Sequence, residues 1–304
     1  MGRIECVPNF SEGRRPEVVD AITNAICTAA PVVFLGASSD PDHNRTVVTF
    51  VGEPDEVAEA AFAGAVEARE RIDLNAHEGA HPRMGAMDVC PFIPLPGEEM
   101  STCVHLAQRV GECIGTELEI PVYLYEEAAT RPERRNLPAV RKGQFEGLRD
   151  AIGTDPDRVP DYGPERIHPT AGATGVAARF FLVAYNVNLE TTDLDAAKAI
   201  AVAVRERDGG LPSVKGMGFA LEEEGCVQVS MNLCNYRVSA IRTVFDEVAR
   251  LATERSIEIR ESELVGLVPA EALDDETAAH IRLKGFDPNA QLLENRIAAA
   301  EATR

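Results

Sequence analysis

The chain has 304 residues, 45% of them hydrophobic, enough to bury a sizeable core as one large domain or two lobes of ordinary size. Its 50 acidic residues against 30 basic ones leave a net charge of −20, which repels nucleic acid and anionic membranes and excludes a polynucleotide partner. Only four of the basic residues are lysines, so we expect a chain suited to concentrated salt, where screening removes self-repulsion; loss of stability on desalting would decide it.

The start, MGRIECVPNF, offers neither a long apolar run nor a small-residue cleavage site, and no later stretch approaches eighteen uninterrupted apolar residues. A cytoplasmic protein without a membrane partner is expected. IECVPNF (4–10) reads as a strand, RPEVVDAITNAICTA (15–29) as a helix, VVFLGAS (32–38) and RTVVTFVG (45–52) as strands. PDEVAEAAFAGAVEARERI (54–72) reads as a helix and MDVCPFIPL (87–95) as a strand, with a further helix near 98–117 and a strand PVYLY (121–125). Residues 130–178 are rich in Arg, Pro, Gly and Asp and read as loops, a length that points to function.

The second half is clearer. RFFLVAYNVNL (179–189) reads as a strand, and DLDAAKAIAVAVRERD (193–208) as a helix ended by Gly209 and Gly210. VKGMGFALEE and CVQVSMNL should pair as a hairpin. Val238, Ile241, Val244, Phe245, Val248 and Leu251 then form a helical stripe, before a last strand in IEIRESELVGLVP. Each half thus reads β-α-β-β-α-β, which predicts an α/β (α+β) protein of two ferredoxin-like lobes, residues 1–178 and 179–304, each an antiparallel sheet with helices on one face. Seven cysteines without a C-x-x-C pair predict buried free thiols rather than a disulfide frame or metal cluster.

His77, Glu78 and His81 spell H-E-x-x-H, the pattern of zinc peptidases, which requires a helix so that both histidines share one face. Gly79 inside the turn and Pro82 directly after His81 oppose that helix, so no metal is expected.

IECVPNFSEGR (4–14), DPDHNRTVVTFVG (40–52), HEGAHPRMGAMDVCPFIP (77–94), PVYLYEEAA (121–129), DYGPERIHPTAGATG (161–175), AYNVNL (184–189) and ELVGLVP (263–269) together resemble the glutamate formimidoyltransferase family over nearly the whole chain. The resemblance is to its single-function form, without the cyclodeaminase domain fused to it in animals. It implies transfer of the formimino group of N-formimino-L-glutamate to nitrogen 5 of the co-substrate tetrahydrofolate, within histidine breakdown and one-carbon metabolism. The substrates would lie between two ferredoxin-like lobes, and the protein would be a homodimer. A formyltransferase working between 5-formyltetrahydrofolate and glutamate would need the same cradle, and a non-catalytic folate- or amino-acid-binding module is a further alternative.

The resemblance assigns the catalytic histidine to His81 of HPRMGA. A histidine near neutral pKa could take a proton from the attacking nitrogen and give one to the departing glutamate nitrogen. It also assigns folate binding to Gly163, Pro164, Glu165, Arg166, Ile167, His168, Pro169, Thr170, Ala171 and Gly172, where animal members carry a tryptophan and this chain has Ala171. Asp40, His43, Asn44, Arg45, His77 and Arg83 form an expected supporting shell. Both substrates are polyanions, so Arg45, Arg83 and Arg134 or Arg135 are the expected carboxylate-holding residues, although Arg45 and Arg83 could equally make internal ion pairs.

Overall fold

The computed structural model describes residues 2–303. The chain divides into two compact units, the first ending at Arg179 and the second beginning at Phe180. At the start, the strand expected over 4–10 is two pieces, β1 (Ile4–Cys6) and β2 (Asn9–Phe10), parted at Val7 and Pro8 because proline has no N–H for the ladder. Helix α1 (Pro16–Ala29) carries proline in its first turn and buries Val18, Ile22 and Ile26, spaced four apart. Strands β3 (Val33–Asp40) and β4 (Arg45–Gly52) follow, then α2 (Pro54–Arg71), whose N-terminus is closed by a capping box between Glu53 and Glu56, and β5 (Met87–Pro94). These strands lie in the order β3, β4, β1 with β2, β5, all antiparallel, which is the βαββαβ arrangement read from the sequence.

The remainder of the first unit departs from that expectation. Helix α3 (Met100–Glu117) and strand β6 (Val122–Glu126) extend it as predicted. The stretch taken as loop, however, contains α4 (Leu137–Val140), α5 (Gln144–Ala151) and strand β7 (Thr174–Ala178). Strand β7 runs parallel to β5 and β6 and lies between them, so this sheet is seven-stranded and mixed rather than antiparallel. Its sequence, TGVAA, is made mostly of small residues with little strand propensity; burial at all five positions is what fixes it.

Helices α1 to α3 cover one face of this sheet over a core that includes Phe10, Phe50, Phe92, Ile22 and Leu106. The opposite face carries Met84, Val89, Tyr123 and Tyr125, covered by Val140 of α4, Leu148 of α5 and Ile152 just beyond it. Each such buried aliphatic side chain contributes about 1.5–3 kcal/mol. Their docking brings the end of α4, and with it Arg141, onto this second face.

The second unit contains β8 (Val183–Leu189), α6 (Leu194–Val204), β9 (Val214–Leu221), β10 (Cys226–Leu233), α7 (Ile241–Thr253) and β11 (Ile259–Val265). Its four strands are antiparallel in the order β11, β8, β10, β9, again the expected arrangement, with β9 and β10 paired as the predicted hairpin. Val238 stands exposed ahead of α7, so the apolar stripe begins at Ile241. No helix among the described residues is long and apolar enough to cross a membrane. Cys6, Cys90, Cys103 and Cys226 are buried as expected, whereas Cys27 is exposed.

Candidate active site around His81

Residues 77–81 are not helical, so His77 and His81 do not share a helix face as the zinc-peptidase pattern demands. They turn to different partners. His77 donates from Nε2 to the carbonyl of Asn44 at 2.9 Å and accepts at Nδ1 from Arg83 Nε at 3.2 Å. His81 Nδ1 lies 2.9 Å from Arg45 Nη1, and since a guanidinium can only donate, the ring proton resides on Nε2.

Arg45, the first residue of β4, is fully engaged. Its Nε and Nη2 donate to Asn9 Oδ1 at 3.0 and 2.5 Å, and Nη1 also reaches Asp88 Oδ2 at 3.0 Å. Asp88 is 0% exposed, and its orientation comes from an irregularity in the ladder. Asn9 pairs with Val89 while Phe10 pairs with Met87, so β5 spends one extra residue there, and that residue is Asp88. A bulge of this kind re-aims a side chain that alternation would send elsewhere. The Asp88 carboxylate then accepts from the Met84 N–H at 2.9 Å and from Arg141 Nη2 at 2.5 Å.

Two guanidiniums on one carboxylate leave a local excess of positive charge in a chain that is strongly negative elsewhere. The consequence appears at His81. Burial, then the charges of Arg45 and Arg141, push its pKa down to about 4, with Asp88 opposing. The near-neutral histidine expected from the sequence is therefore corrected: the ring is held neutral in these surroundings.

The turn between β3 and β4 supplies the adjoining wall. Asp40 accepts from the backbone N–H of Asp42 and of His43 and, at 2.6 Å, from His43 Nδ1. The His43 ring meets the His81 ring edge to face, with centroids 6.1 Å apart. Asn44, in the left-handed region at φ 49°, donates to the Glu78 carbonyl and accepts from the Gly13 N–H, tying this turn to the His81 loop. Of the residues expected around His81, Arg45 and His43 touch it, whereas Asp40 is joined through His43, Asn44 through the Glu78 carbonyl, and His77 through the Asn44 carbonyl.

The arginines divide otherwise than expected. Arg83 forms a two-toothed pair with Glu146 of α5 at 2.7 and 2.9 Å and braces His77. Arg134 is buried, bonded to Asp161 and to the carbonyls of Asp157 and Val159, with the Tyr123 ring beneath it. Arg135 pairs with Glu127. Neither Arg134 nor Arg135 reaches the His81 cluster; the arginine that does is Arg141, which the sequence reading passed over, as it passed over Asn9 and Asp88. Asp88 lies in the very block that carries His81, four residues after Met84, but a carboxylate inside an apolar strand pattern gives no sign of which face it takes.

The segment 163–172 occupies two places. Gly163 packs against Gly115 of α3, and Arg166 pairs with Glu119. Pro169 and Thr170 accept through their carbonyls from Asn75 and Leu74, Ala171 accepts from the Ala86 N–H, and His168 Nδ1 receives the N–H groups of Thr170 and Ala171. Gly172, at φ 73°, lies so close to Met84 that an added Cβ would stand 2.2 Å from its carbonyl oxygen, and a Cβ on Gly85 would stand 1.9 Å from that of Ala173. These contacts hold the loop from Ile72 to Ala86, including His81, against β7. Among the described residues no three His, Cys, Asp or Glu side chains gather as a metal-binding set.

Comparisons with known proteins show the family. The family model for the formiminotransferase domain, N-terminal subdomain, matches residues 3–179, and that for the formiminotransferase domain matches residues 184–294. A glutamate formimidoyltransferase of Streptococcus pyogenes is 44% identical over 97% of this chain and 98% of its own, and one of Thermoplasma acidophilum is 46% identical over 99% of both. The formimidoyltransferase-cyclodeaminase of Mus musculus is 47% identical over 90% of this chain but only 52% of its own length. With both family models matching in order and relatives similar from end to end, the chain belongs to the formiminotransferase family.

Proposed function

We propose that this protein transfers the formimino group of N-formimino-L-glutamate to nitrogen 5 of tetrahydrofolate and releases L-glutamate, with His81 as the residue that moves the proton. One observation carries the role of His81: its Nδ1 is held by Arg45, within the buried network of Asp88 and Arg141, on a non-helical loop inside the family's signature block.

Attack of nitrogen 5 on the amidinium carbon gives a tetrahedral centre bearing a protonated nitrogen 5. That proton must leave, and the glutamate nitrogen must gain one before its bond to carbon breaks. Nitrogen 5 is attached to the pterin ring, so its protonated form is acidic and a weak base suffices. His81, held at a pKa of about 4 by burial and then by the Arg45 and Arg141 charges while Nδ1 is bonded to Arg45, becomes such a base, somewhat stronger than that value, once Nδ1 turns from Arg45. The imidazolium so formed is in turn a strong acid toward the far more basic glutamate nitrogen. The depressed pKa thus eases the second transfer, to the departing glutamate nitrogen.

The segment 163–172 is read as the folate cradle, on the family resemblance and on its contacts with the loop that ends at His81. We read the protein as cytoplasmic and, on the family pattern alone, as a homodimer.

The test mixes enzyme, formiminoglutamate and tetrahydrofolate and follows 5-formiminotetrahydrofolate by absorbance, with wild type and His81→Ala. Product from wild type and a loss of at least roughly 100-fold in the variant are expected. Formyl transfer from 5-formyltetrahydrofolate without formimino transfer would replace this reading, and silence with both donors would indicate a binding protein.

A further inference from the structure

We propose that Arg141, at the end of α4, is the receptor for a carboxylate of the glutamate portion of the substrate. The inference rests on the formimino-transfer reading above and names a specificity-determining contact within it.

The argument begins with donors. Each arginine expected to hold a carboxylate has its side chain committed within the first unit: Arg45 to Asn9, His81 and Asp88, Arg83 to Glu146 and His77, Arg134 to Asp161 and two carbonyls, Arg135 to Glu127. Arg141 differs. Its only side-chain hydrogen bond runs from Nη2 to Asp88, its Nε is buried without an acceptor among the described residues, and its side chain is 14% exposed. A guanidinium so placed has donor capacity that the described residues do not use. Nη1 also has no acceptor among the described residues and is not buried, so it is there that an anion can reach the guanidinium.

Charge points the same way. Arg45 and Arg141 share the single carboxylate of Asp88. The cluster therefore carries one uncompensated positive charge in partly desolvated surroundings, where its attraction for an anion is much stronger than in water. A carboxylate bound end-on through Nη1 and Nη2 would close the balance in the fork geometry that arginine favours.

Distance selects which carboxylate. His81 must reach the amidine, and Arg141 is joined to His81 through Asp88 and Arg45 by three hydrogen bonds. The α-carboxylate carbon of formiminoglutamate is two bonds from the amidine nitrogen and its γ-carboxylate carbon four, so either lies close enough to be the one held. The glutamate tail of the folate lies across an aminobenzoyl ring from nitrogen 5, too far to reach Arg141 while nitrogen 5 is at His81. Binding would do a second job: with the Arg141 charge neutralised, the proton on His81 is less strongly opposed, so the ring becomes a better base only when the correct substrate is present.

The test compares wild type, Arg141→Lys and Arg141→Gln on three donors: formiminoglutamate, its γ-amide N-formiminoglutamine, and N-formimino-4-aminobutyrate, which lacks the α-carboxylate. For one analogue, wild-type kcat/KM should fall about 10- to 200-fold, mainly in KM, and Arg141→Gln should lose that factor on formiminoglutamate yet little more on that analogue. Arg141→Lys, which keeps the charge but not the fork, should fall between. In Arg141→Gln the acid limb of kcat/KM should move to higher pH, since the groups that face His81 among the described residues are Arg45, Arg141, Asp88 and the His43 ring with its partner Asp40, and the variant removes one of the two positive charges. Equal losses on all three donors, or no loss on formiminoglutamate, would overturn the proposal while leaving the transferase reading intact. Absence of wild-type turnover would remove the reading itself. Should neither variant fold, phenylglyoxal labelling of the wild-type chain decides: formiminoglutamate should slow modification of Arg141, and an unchanged rate refutes the proposal.

Discussion

Arg45 donates from Nη1 to Nδ1 of His81 at 2.9 Å, a bond that fixes the ring tautomer and, after burial, is the next largest influence holding the ring neutral. Nδ1 is the acceptor, Nε2 holds the proton, and the Arg45 charge raises the cost of a second one. In Arg45→Gln the His81 ring, followed by its own NMR resonance, should titrate well above the wild-type value of about 4 and toward the ordinary 6.5. An unmoved titration would mean that burial alone sets it.

The half-buried His81 and the buried Glu5 give stability opposite slopes with pH. His81 has a folded pKa of about 4 against 6.5 unfolded, so between those values the unfolded chain binds more protons and stability falls as pH drops through that window. Glu5 on β1 is 4% exposed, and burial lifts its pKa to about 7 from 4.5, with Arg179 opposing. There the folded chain binds more protons, so stability is lost as pH rises from about 4.5 through 7. Glu5→Gln should therefore raise the denaturation midpoint at pH 8 and leave it nearly unchanged at pH 4.5, and His81→Gln should lessen the loss on the acid side. Chemical denaturation at a series of pH values checks both signs.

Asp88→Ala should be among the costliest single changes in the first unit. It would leave the guanidiniums of Arg45 and Arg141 facing each other and the Met84 N–H without its acceptor. Removal of one partner from a buried ion cluster costs about 3–5 kcal/mol, so the thermal midpoint should drop by several degrees and activity should vanish with it. A midpoint within a degree of wild type would show the cluster to be energetically idle.

Gly85→Ala should disable the site without altering any side chain in it. The new Cβ would overlap the Ala173 carbonyl, forcing the His81 loop away from β7. A destabilisation above about 2 kcal/mol is expected from such backbone overlap, together with loss of turnover. Gly147→Ala on α5, where a Cβ would meet nothing within 4 Å and the backbone is helical, serves as the comparison, and equal effects from the two would refute the close-approach argument.

Much of this molecule was legible in its residues. Apolar periodicity located α1, α2, α6 and α7 and the strands between them, because a helix or strand that buries one face must repeat at 3.6 or 2. Pro82 and Gly79 argued against a zinc helix at 77–81 through backbone geometry alone, and the backbone there is indeed not helical. Strand β7 was not legible: TGVAA has too few large apolar residues to show a period, and its pairing partners lie up to some eighty residues away in the chain.

The sequence by itself thus determined the two βαββαβ frames and the family, which are written in local pattern and in contiguous motifs, and it singled out His81 as a candidate. Tertiary structure alone decided which side chains surround that histidine. Arg45, Asp88 and Arg141 come from β4, β5 and the end of α4, and they meet only because a bulge at Asp88 and the docking of Val140 and Leu148 on Tyr123 and Tyr125 place them on one face. Nothing in the spacing of charges along a chain records such a meeting, since electrostatic coupling depends on distance in space and on burial.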